Sequence, residues 1–433
     1  MARLQVIGPT DTRESRKEKE NCRHAMSRDT LLILSQVYPP DPASVGQHLA
    51  DVAMGCARRD MRVVVLTSNR GYNDPSLKYP NRETVEGVDI RRLPLTSFGK
   101  ASILIRLTGA VLFLIQAVVR GLCTRNLTHI LVSTSPPLCS VAALILGVLR
   151  RARITYWVMD LNPDQMVEMG WIKPGHPAVK VFNVLNRAIL KRSAAVVTLD
   201  RFMAERVLRK ADVRKKLTIM APWPHEDHLE TVDHADNPFR KHHGLDEKFV
   251  FMYSGNHSVC TPLQTILDAA VRLRNDPNLV FMFIGDGTGK PEVDTTIAEH
   301  DLTHVRSLPY QPLSEIKYSL SAADVHLVVV GPTEVGVRHP CKVYGAMALA
   351  RPILLLGPDP CHASDLVVDH DIGWHIQHGD LDGAIETIRK ISSTDPAQLR
   401  AMGARARRVV DEELAQDKLC VEFCNIIVNG AIP

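Results

Sequence analysis

From Leu31 onward, short unbroken apolar runs alternate with stretches whose apolar residues recur every three or four positions. LLILSQ is the first run, YPPDPASVGQ reads as a loop, HLADVAMGCARR has helical spacing, and MRVVVLTS is a second run. A short apolar run bounded by turn residues marks a strand buried on both faces, the kind found in parallel sheets. Strand, loop, helix, strand is therefore a βαβ unit. The cycle repeats through HILVSTS (129–135), Pro136-Pro137 and a helical stretch over 138–150. ITYWVMD (154–160), a helix over 177–192, AAVVTLD (194–200), another helix and LTIMAPW (217–223) complete it.

Residues 222–244 are polar, rich in His and Pro, and lack periodicity, which predicts a linker. The cycle then restarts. FVFMYSG (249–255) and LVFMFIGDGTG (279–289) are strands running into glycine loops, with TPLQTILDAAVRLR helical between them. VRSLPY, a helix near 313–322, VHLVVVG (325–331), the helical KVYGAMALA and the strand RPILLLG follow, and two helices close the chain. The expected fold class is α/β: two tandem doubly wound, Rossmann-like, parallel-sheet domains facing a cleft, which suits one ligand bound partly by each half. The expected boundaries are a disordered lead-in at 1–29, a first domain at 30–221, the linker at 222–244, a second domain at 245–410, and a final helix at 411–433 that packs back on the first domain.

The stretch 102–122 (SILIRLTGAVLFLIQAVVRGL) stands apart. A spanning helix needs about 20 apolar residues, and Arg106, Gln116 and Arg120 interrupt this one. Ser102, Arg106, Gly109, Gln116 and Arg120 fall at three- and four-residue spacings, one narrow polar stripe on a wide apolar face. Two readings stay open: a helix packed on the sheet, or a surface helix dipping into a bilayer with nearby arginines on an anionic surface.

At 433 residues the chain exceeds the size of one core, which agrees with two domains. Its apolar fraction of 45% and charged fraction of 23% are those of a globular protein. A formal charge of +4 with few aromatic residues gives no nucleic-acid footprint. Nine cysteines, an odd number without metal spacing, read as small buried hydrophobes in a reducing compartment. Residues 1–29 hold no apolar leader segment, so the expected location is cytoplasmic, and on the bilayer reading of 102–122 also peripheral on the inner membrane face. The acidic triplets Asp369-His370-Asp371 and Asp380-Leu381-Asp382 lie in late loops, and no metal is expected.

Candidate chemistry gathers in three loops of the second half and at one strand end in the first. YSGNHS (253–258) and GDGTG (285–289) are small-residue loops after strands, able to let backbone approach an anion or simply to turn tightly. In HPCKVYGAMALARP (339–352), Pro340 suits the first turn of a helix and puts Lys342 near its positive end, or else on a solvated surface. Asp160 ends a buried strand, where such folds place function, or else caps a loop.

Several phrases, in order, resemble a known family. YPPDPASVGQHLADVA, MDLNPDQMVEMGWI, VVTLDRFMAERV, YSGN, FIGDG, SLPYQPLSEI, HPCKVYGAMALARP and DIGWHI resemble the retaining glycosyltransferases of the GT-B fold, in the GT4 group. Within the group the likeness is to the branch that builds bacterial surface polysaccharides. The resemblance implies transfer of a hexosyl or N-acetylhexosaminyl unit from a nucleotide-sugar, a UDP-sugar by preference, to a lipid-linked glycan, without metal or cofactor. It implies donor contacts at Gly255, Asn256, Gly285, Gly287, Tyr310, Arg338 and Lys342, acceptor contacts at Gly46 and Asp164, and catalytic roles for Asp160 and Glu334.

Departures from the family pattern also stand in the sequence. Relatives read Pro-Ser-Lys where Cys341 stands, and carry a ribose-binding glutamate where this chain has Gly345. The earlier glutamate of that pair is Val337 here, with Glu334 three residues before it as a substitute. Asn256 and Pro262 occupy the region of an Arg and Lys pair. Two other functions fit the same fold: a nucleotide-sugar 2-epimerase, or a catalytically weak partner subunit of a transferase.

Overall fold

The computed structural model describes residues 29–72, 74–96, 103–225 and 230–430, so most of the predicted lead-in lies outside the described residues. The chain divides into one unit ending at Thr155 and a second starting at Tyr156.

In the first unit β1 (Thr30–Leu34), β2 (Arg62–Ser68), β3 (Arg82–Val85), β4 (Val88–Leu93) and β5 (Leu127–Val132) lie in the order β3-β4-β2-β1-β5. β1 is parallel to both β2 and β5, with Leu31 opposite Val63 and His129. Every residue of β1 is buried, which is why its text shows no polar alternation. The helix Ser44–Ala57 returns the chain from β1 to β2. A Cβ on Gly46 would lie 3.0 Å from the Tyr38 backbone, so glycine lets its first turn close on the preceding loop.

The β3-β4 hairpin is an element that the apolar runs do not announce. It is antiparallel, at the sheet edge, and turns through Glu86 and Gly87, both at positive φ (46° and 83°). Arg82 and Glu83 put charge on the edge strand β3, where it discourages pairing with another chain.

The helix Ile103–Leu122 settles part of the ambiguity in the sequence. Ala110, Phe113 and Ala117 are buried, as are Gly109 and Gly121. A Cβ on Gly121 would meet Leu146 at 2.4 Å, so this face seats closely against the helix Cys139–Leu149. Gly109 therefore belongs to the packed face, not to a polar stripe; small size, rather than polarity, put it at that position. Gln116 donates to the carbonyls of Pro94 (2.8 Å) and Leu112 (3.2 Å). Ser102 and the Arg106 side chain lie outside the described residues. On the other side Leu107, Val111, Ile115, Val119 and Leu122 form an exposed apolar stripe at helical spacing. Among the described residues no helix is long and apolar enough to cross a membrane.

β6 (Arg153–Val158) carries the chain across the division and is followed by β7 (Ala195–Thr198) and β8 (Leu217–Ile219), which pair in parallel. A six-stranded sheet follows: β9 (Phe249–Ser254), β10 (Leu279–Ile284), β11 (Val305–Leu308), β12 (Val325–Val329), β13 (Ile353–Leu356) and β14 (Gly373–Ile376). Its order is β11-β10-β9-β12-β13-β14 and its strand pairs are parallel. The order reverses between β9 and β12, the point where such sheets open a crevice at their strand ends. Phe239 and Leu245 join the core against Val250, Met252, Val280 and Met282, although the surrounding text is polar.

The end of the chain is more elaborate than two helices. After β13 come the helix His362–Asp369, β14, and the helices Leu381–Ser392, Pro396–Glu413 and Gln416–Asn429. β14 is only four residues long and partly exposed, so it lacks the continuous apolar signature. Phe423 of the last helix packs on Trp157 with ring centroids 4.3 Å apart, and Trp157 lies 6.1 Å from Trp223.

Candidate functional site

Two carboxylates stand just beyond the ends of β6 and β7. Asp200 caps the helix Arg201–Lys210, accepting from Met203 N at 2.8 Å. Asp160 precedes the short helix Asp164–Glu168. Against them lies the segment 334–342. Leu161 N donates to Val337 O at 2.9 Å. Gly336 has φ of 71°, and a Cβ there would sit 2.7 Å from Phe202 O. Val337 is wholly buried, so its side chain has a packing role.

His339 fixes this segment from within. Asp200 Oδ2 accepts from His339 Nδ1 at 2.8 Å, His339 Nε2 is 2.6 Å from Tyr344 Oη, and that hydroxyl is 2.8 Å from His362 Nε2. Asp200, His339 and Tyr344 are all buried. Burial alone would raise the Asp200 carboxyl, but the hydrogen bond and charge of His339 outweigh it and hold the group below the usual range. His362 is pushed down to about 3 by burial and by His339. Sequence reasoning missed this chain; HPCK and TLD were legible as phrases, but nothing in them says that their side chains meet.

Lys342 is the first residue of the helix Lys342–Ala348, with Cys341 at the cap, so Pro340 lies outside the first turn that it was expected to occupy. The Lys342 ammonium donates to Tyr253 Oη and, at 2.9 Å, to Asn256 O. It also sits 3.8 Å from the centroid of the Tyr253 ring. Gly255 has φ of 131°, and a Cβ there would be 2.6 Å from Lys342 Cε. Only glycine lets the lysine lie across this loop. Burial, helped by the Arg338 charge, pushes the Lys342 amine down to about 7, with Glu334 pulling the other way.

Arg338 joins the two halves of the cluster. Its Nη1 donates to Glu334 Oε1 at 3.0 Å, and Glu334 Oε2 accepts from Gly331 N at 3.1 Å. Burial raises the Glu334 carboxyl despite Arg338. Burial raises Asp160 as well, and Arg338 offsets part of that rise. Asp160, Glu334, Arg338 and Lys342 thus form one neighbourhood of two carboxylates and two cations. Cations placed so can take the charge of a departing phosphate group, and a carboxylate of raised basicity can receive a proton from an acceptor hydroxyl.

The other sequence-predicted residues fall in different places. Cβ atoms on Gly285 and Gly287 would lie 2.0 Å from Gly255 O and 2.2 Å from His257 O. These glycines let the loop after β10 press on the loop after β9, where His257 N donates to Asp286 O at 2.9 Å. Asn256 is exposed at the tip of that loop, and Tyr310 is 56% exposed, with a hydroxyl raised by partial burial and by Asp286. Asp164 is ion-paired with Lys210 at 2.6 Å. Gly46 lies in the first unit. In the acidic triplets, Asp371 pairs with Arg405 at 2.7 Å and Asp380 caps the helix Leu381–Ser392. No group of three or more metal-ligating side chains occurs among the described residues.

Residues 44–223 match the family described as Glycosyl transferase 4-like domain, and residues 236–409 match Glycosyl transferases group 1. The chain is 26% identical over 272 residues to a probable glycosyltransferase, WbjE, of Pseudomonas aeruginosa, covering 62% of this chain and 67% of the relative. It is 24% identical over 332 residues to WcaI of Escherichia coli K12, a putative colanic acid biosynthesis glycosyl transferase, covering 74% and 81%. Among solved structures, sucrose-phosphate synthase from Thermosynechococcus elongatus superposes with a TM-score of 0.70 at 15% identity, covering 92% of this chain and 98% of that one. HepE of Anabaena, in complex with UDP and glucose, gives 0.68 at 13% identity, covering 92% and 99%.

Proposed function

The chain belongs to the GT-B glycosyltransferases, in a surface-polysaccharide branch, and on that premise we propose that it moves a hexosyl or N-acetylhexosaminyl unit from a UDP-sugar to a lipid-linked glycan, with retention and without a metal ion. The observation that carries the donor reading is the convergence of Lys342 and Arg338 beside the Gly255-Asn256 loop. There the ammonium and guanidinium receive the diphosphate and stabilise its charge as the glycosidic bond breaks. UDP is the favoured nucleotide because the structurally similar HepE was crystallised with it. Asp160 orients the acceptor hydroxyl and takes its proton, and Glu334 holds Arg338 in place.

Incubation with a panel of nucleotide-sugars and a polyprenyl-linked glycan, in EDTA, tests the whole reading. UDP release coupled to a product of unchanged anomeric configuration is the expected result. Isomerised free sugar, or turnover only after Mn²⁺ or Mg²⁺ is restored, overturns it. Lys342→Ala should weaken UDP binding by about 1.5–3 kcal/mol, since a charge-assisted contact is lost. Its amine titrates near 7 in the free protein and binding of the anion favours the charged form. Affinity for UDP should therefore be highest below pH 7 and fall as pH rises, and that fall should be absent in the variant. Calorimetry at several pH values reads both; an unchanged affinity in a folded variant removes Lys342 from the donor site.

The exposed stripe Leu107, Val111, Ile115, Val119 and Leu122 supports a peripheral contact of the first unit with a bilayer. Val148 and Leu149 extend the apolar surface, and Arg150, Arg151 and Arg153 adjoin it in sequence. Each basic residue near an anionic surface adds about 1 kcal/mol, and salt screens it. Flotation with vesicles should thus require anionic lipid, weaken at high salt, and fail when the three arginines become glutamate. Equal indifference to neutral and anionic vesicles would remove the membrane from this account and leave the transferase.

A further inference from the structure

The first unit carries a second basic constellation, which donor chemistry leaves unused. Asn81, Arg82, Arg91, Arg92, Pro94 and Arg120 line a recess of about 350 Å³. Arg82 comes from β3, Arg91 and Arg92 from β4, and Arg120 from the last turn of the helix Ile103–Leu122. The Gln116 amide, bonded to Pro94 O at 2.8 Å, ties that helix to the exit of the hairpin.

The charges in the recess do not balance. Arg82 and Arg91 stand directly opposite each other in the hairpin register, a like-charge placement that costs stability. Both lean on the single carboxylate of Asp89, at 3.0 and 2.6 Å. Burial would raise that carboxyl, but hydrogen bonds from Arg91 and Arg82 keep it below the usual range. The Arg92 side chain is wholly buried, bonded to Pro39 O (2.8 Å) and Pro80 O (3.1 Å) and paired with Glu83 at 2.5 Å. Its Nε is buried without a hydrogen-bond partner among the described residues. Arg120 is exposed, and no ion pair or hydrogen bond of its guanidinium is found among the described residues. Four guanidiniums thus meet two carboxylates, leaving two positive charges in excess. Arginine forks match phosphate oxygens in pairs, and a diphosphate ester brings about two negative charges.

What lies beside the recess points to where such an ester is carried. The helix that supplies Arg120 presents the apolar stripe ending at Val119 and Leu122. We propose that the recess binds the diphosphate of a lipid-linked acceptor, holding it at the level where the stripe meets the acyl boundary. This rests on the lipid-linked reading of the acceptor and assigns its anionic group to named residues other than those of the donor cluster.

Thermal shift and calorimetry of the full chain with inorganic pyrophosphate, with and without saturating UDP, test the site. In the presence of UDP, pyrophosphate should still bind, and Arg120→Gln should weaken it at least fivefold while UDP affinity stays at the wild-type value. The double variant Arg82→Gln, Arg91→Gln should weaken it further, and circular dichroism checks that each variant is folded. Flotation then compares neutral vesicles doped with a polyprenyl diphosphate against vesicles of matched charge made with an anionic phospholipid. Preference for the diphosphate that Arg120→Gln abolishes supports the proposal. Pyrophosphate binding that UDP eliminates, equal affinity in all variants, or equal retention by both vesicles overturns it. Loss of UDP binding with an intact, Arg120-dependent pyrophosphate site would instead overturn the donor assignment and leave this one.

Discussion

Asp160→Asn should lower turnover by roughly 100- to 10,000-fold, the range that proton transfer by a positioned side chain supplies. UDP affinity should change little, because the diphosphate is assigned to Lys342 and Arg338. The residue sits just past a strand end, and its carboxyl is raised by burial, with Arg338 limiting the rise. A raised carboxyl is a better proton acceptor once ionised, but ionises only at higher pH. Activity should therefore rise with pH through a midpoint above the ordinary carboxylate range, and the isosteric amide should remove that limb. Initial rates over a pH series, alongside UDP calorimetry, check both parts. Turnover within threefold of the wild type would leave Asp160 with a loop-capping role.

His339→Ala should destabilise the fold by about 3–5 kcal/mol, the cost of leaving one partner of a buried pair behind. Asp200 is 3% exposed, accepts from His339 at 2.8 Å, and also caps the helix Arg201–Lys210. Without the imidazole its Oδ2 loses that donor, and the Tyr344 hydroxyl loses its His339 partner and keeps only His362. The Asp200 carboxyl is held below its unfolded value. Its stabilising contribution is therefore fully present above about pH 4 and is lost as pH falls through the lowered folded value. In the variant this acid-side loss should shrink. Urea unfolding at about pH 2.5 and at pH 7 reads the difference; a change under about 1 kcal/mol at pH 7 would mean that the segment 334–342 is held without the pair.

Most strands of both sheets were legible because parallel strands buried on two faces leave unbroken apolar runs, as in LLIL and LVFMFI. What stayed hidden lacks that signature. β3 and β4 mix charge with apolar residues at an edge, β14 is four partly exposed residues, and Phe239 and Leu245 sit in polar text yet complete a core. The site followed the same division. Lys342 and Asp160 could be singled out because a single phrase gives each its local setting. The contacts of His339 with Asp200, and of Lys342 with Tyr253, join residues 139 and 89 positions apart, and neither partner advertises the other. Gly285 and Gly287 show the opposite limit: a glycine loop after a strand reads as a ligand cradle, yet backbone pressing on backbone is enough to require it.

The packing of Phe423 against Trp157 gives the protein an optical reporter. Trp157 and Trp223 are each 1% exposed, whereas Trp171 is 59% exposed and Trp374 is only partly covered. Emission from the two enclosed indoles belongs at short wavelength, and that of Trp171 near the value for water. Phe423 of the helix Gln416–Asn429 covers Trp157, one of the two. Excitation of the native chain should yield a composite band whose blue component tracks whether the last fourteen-residue helix is seated.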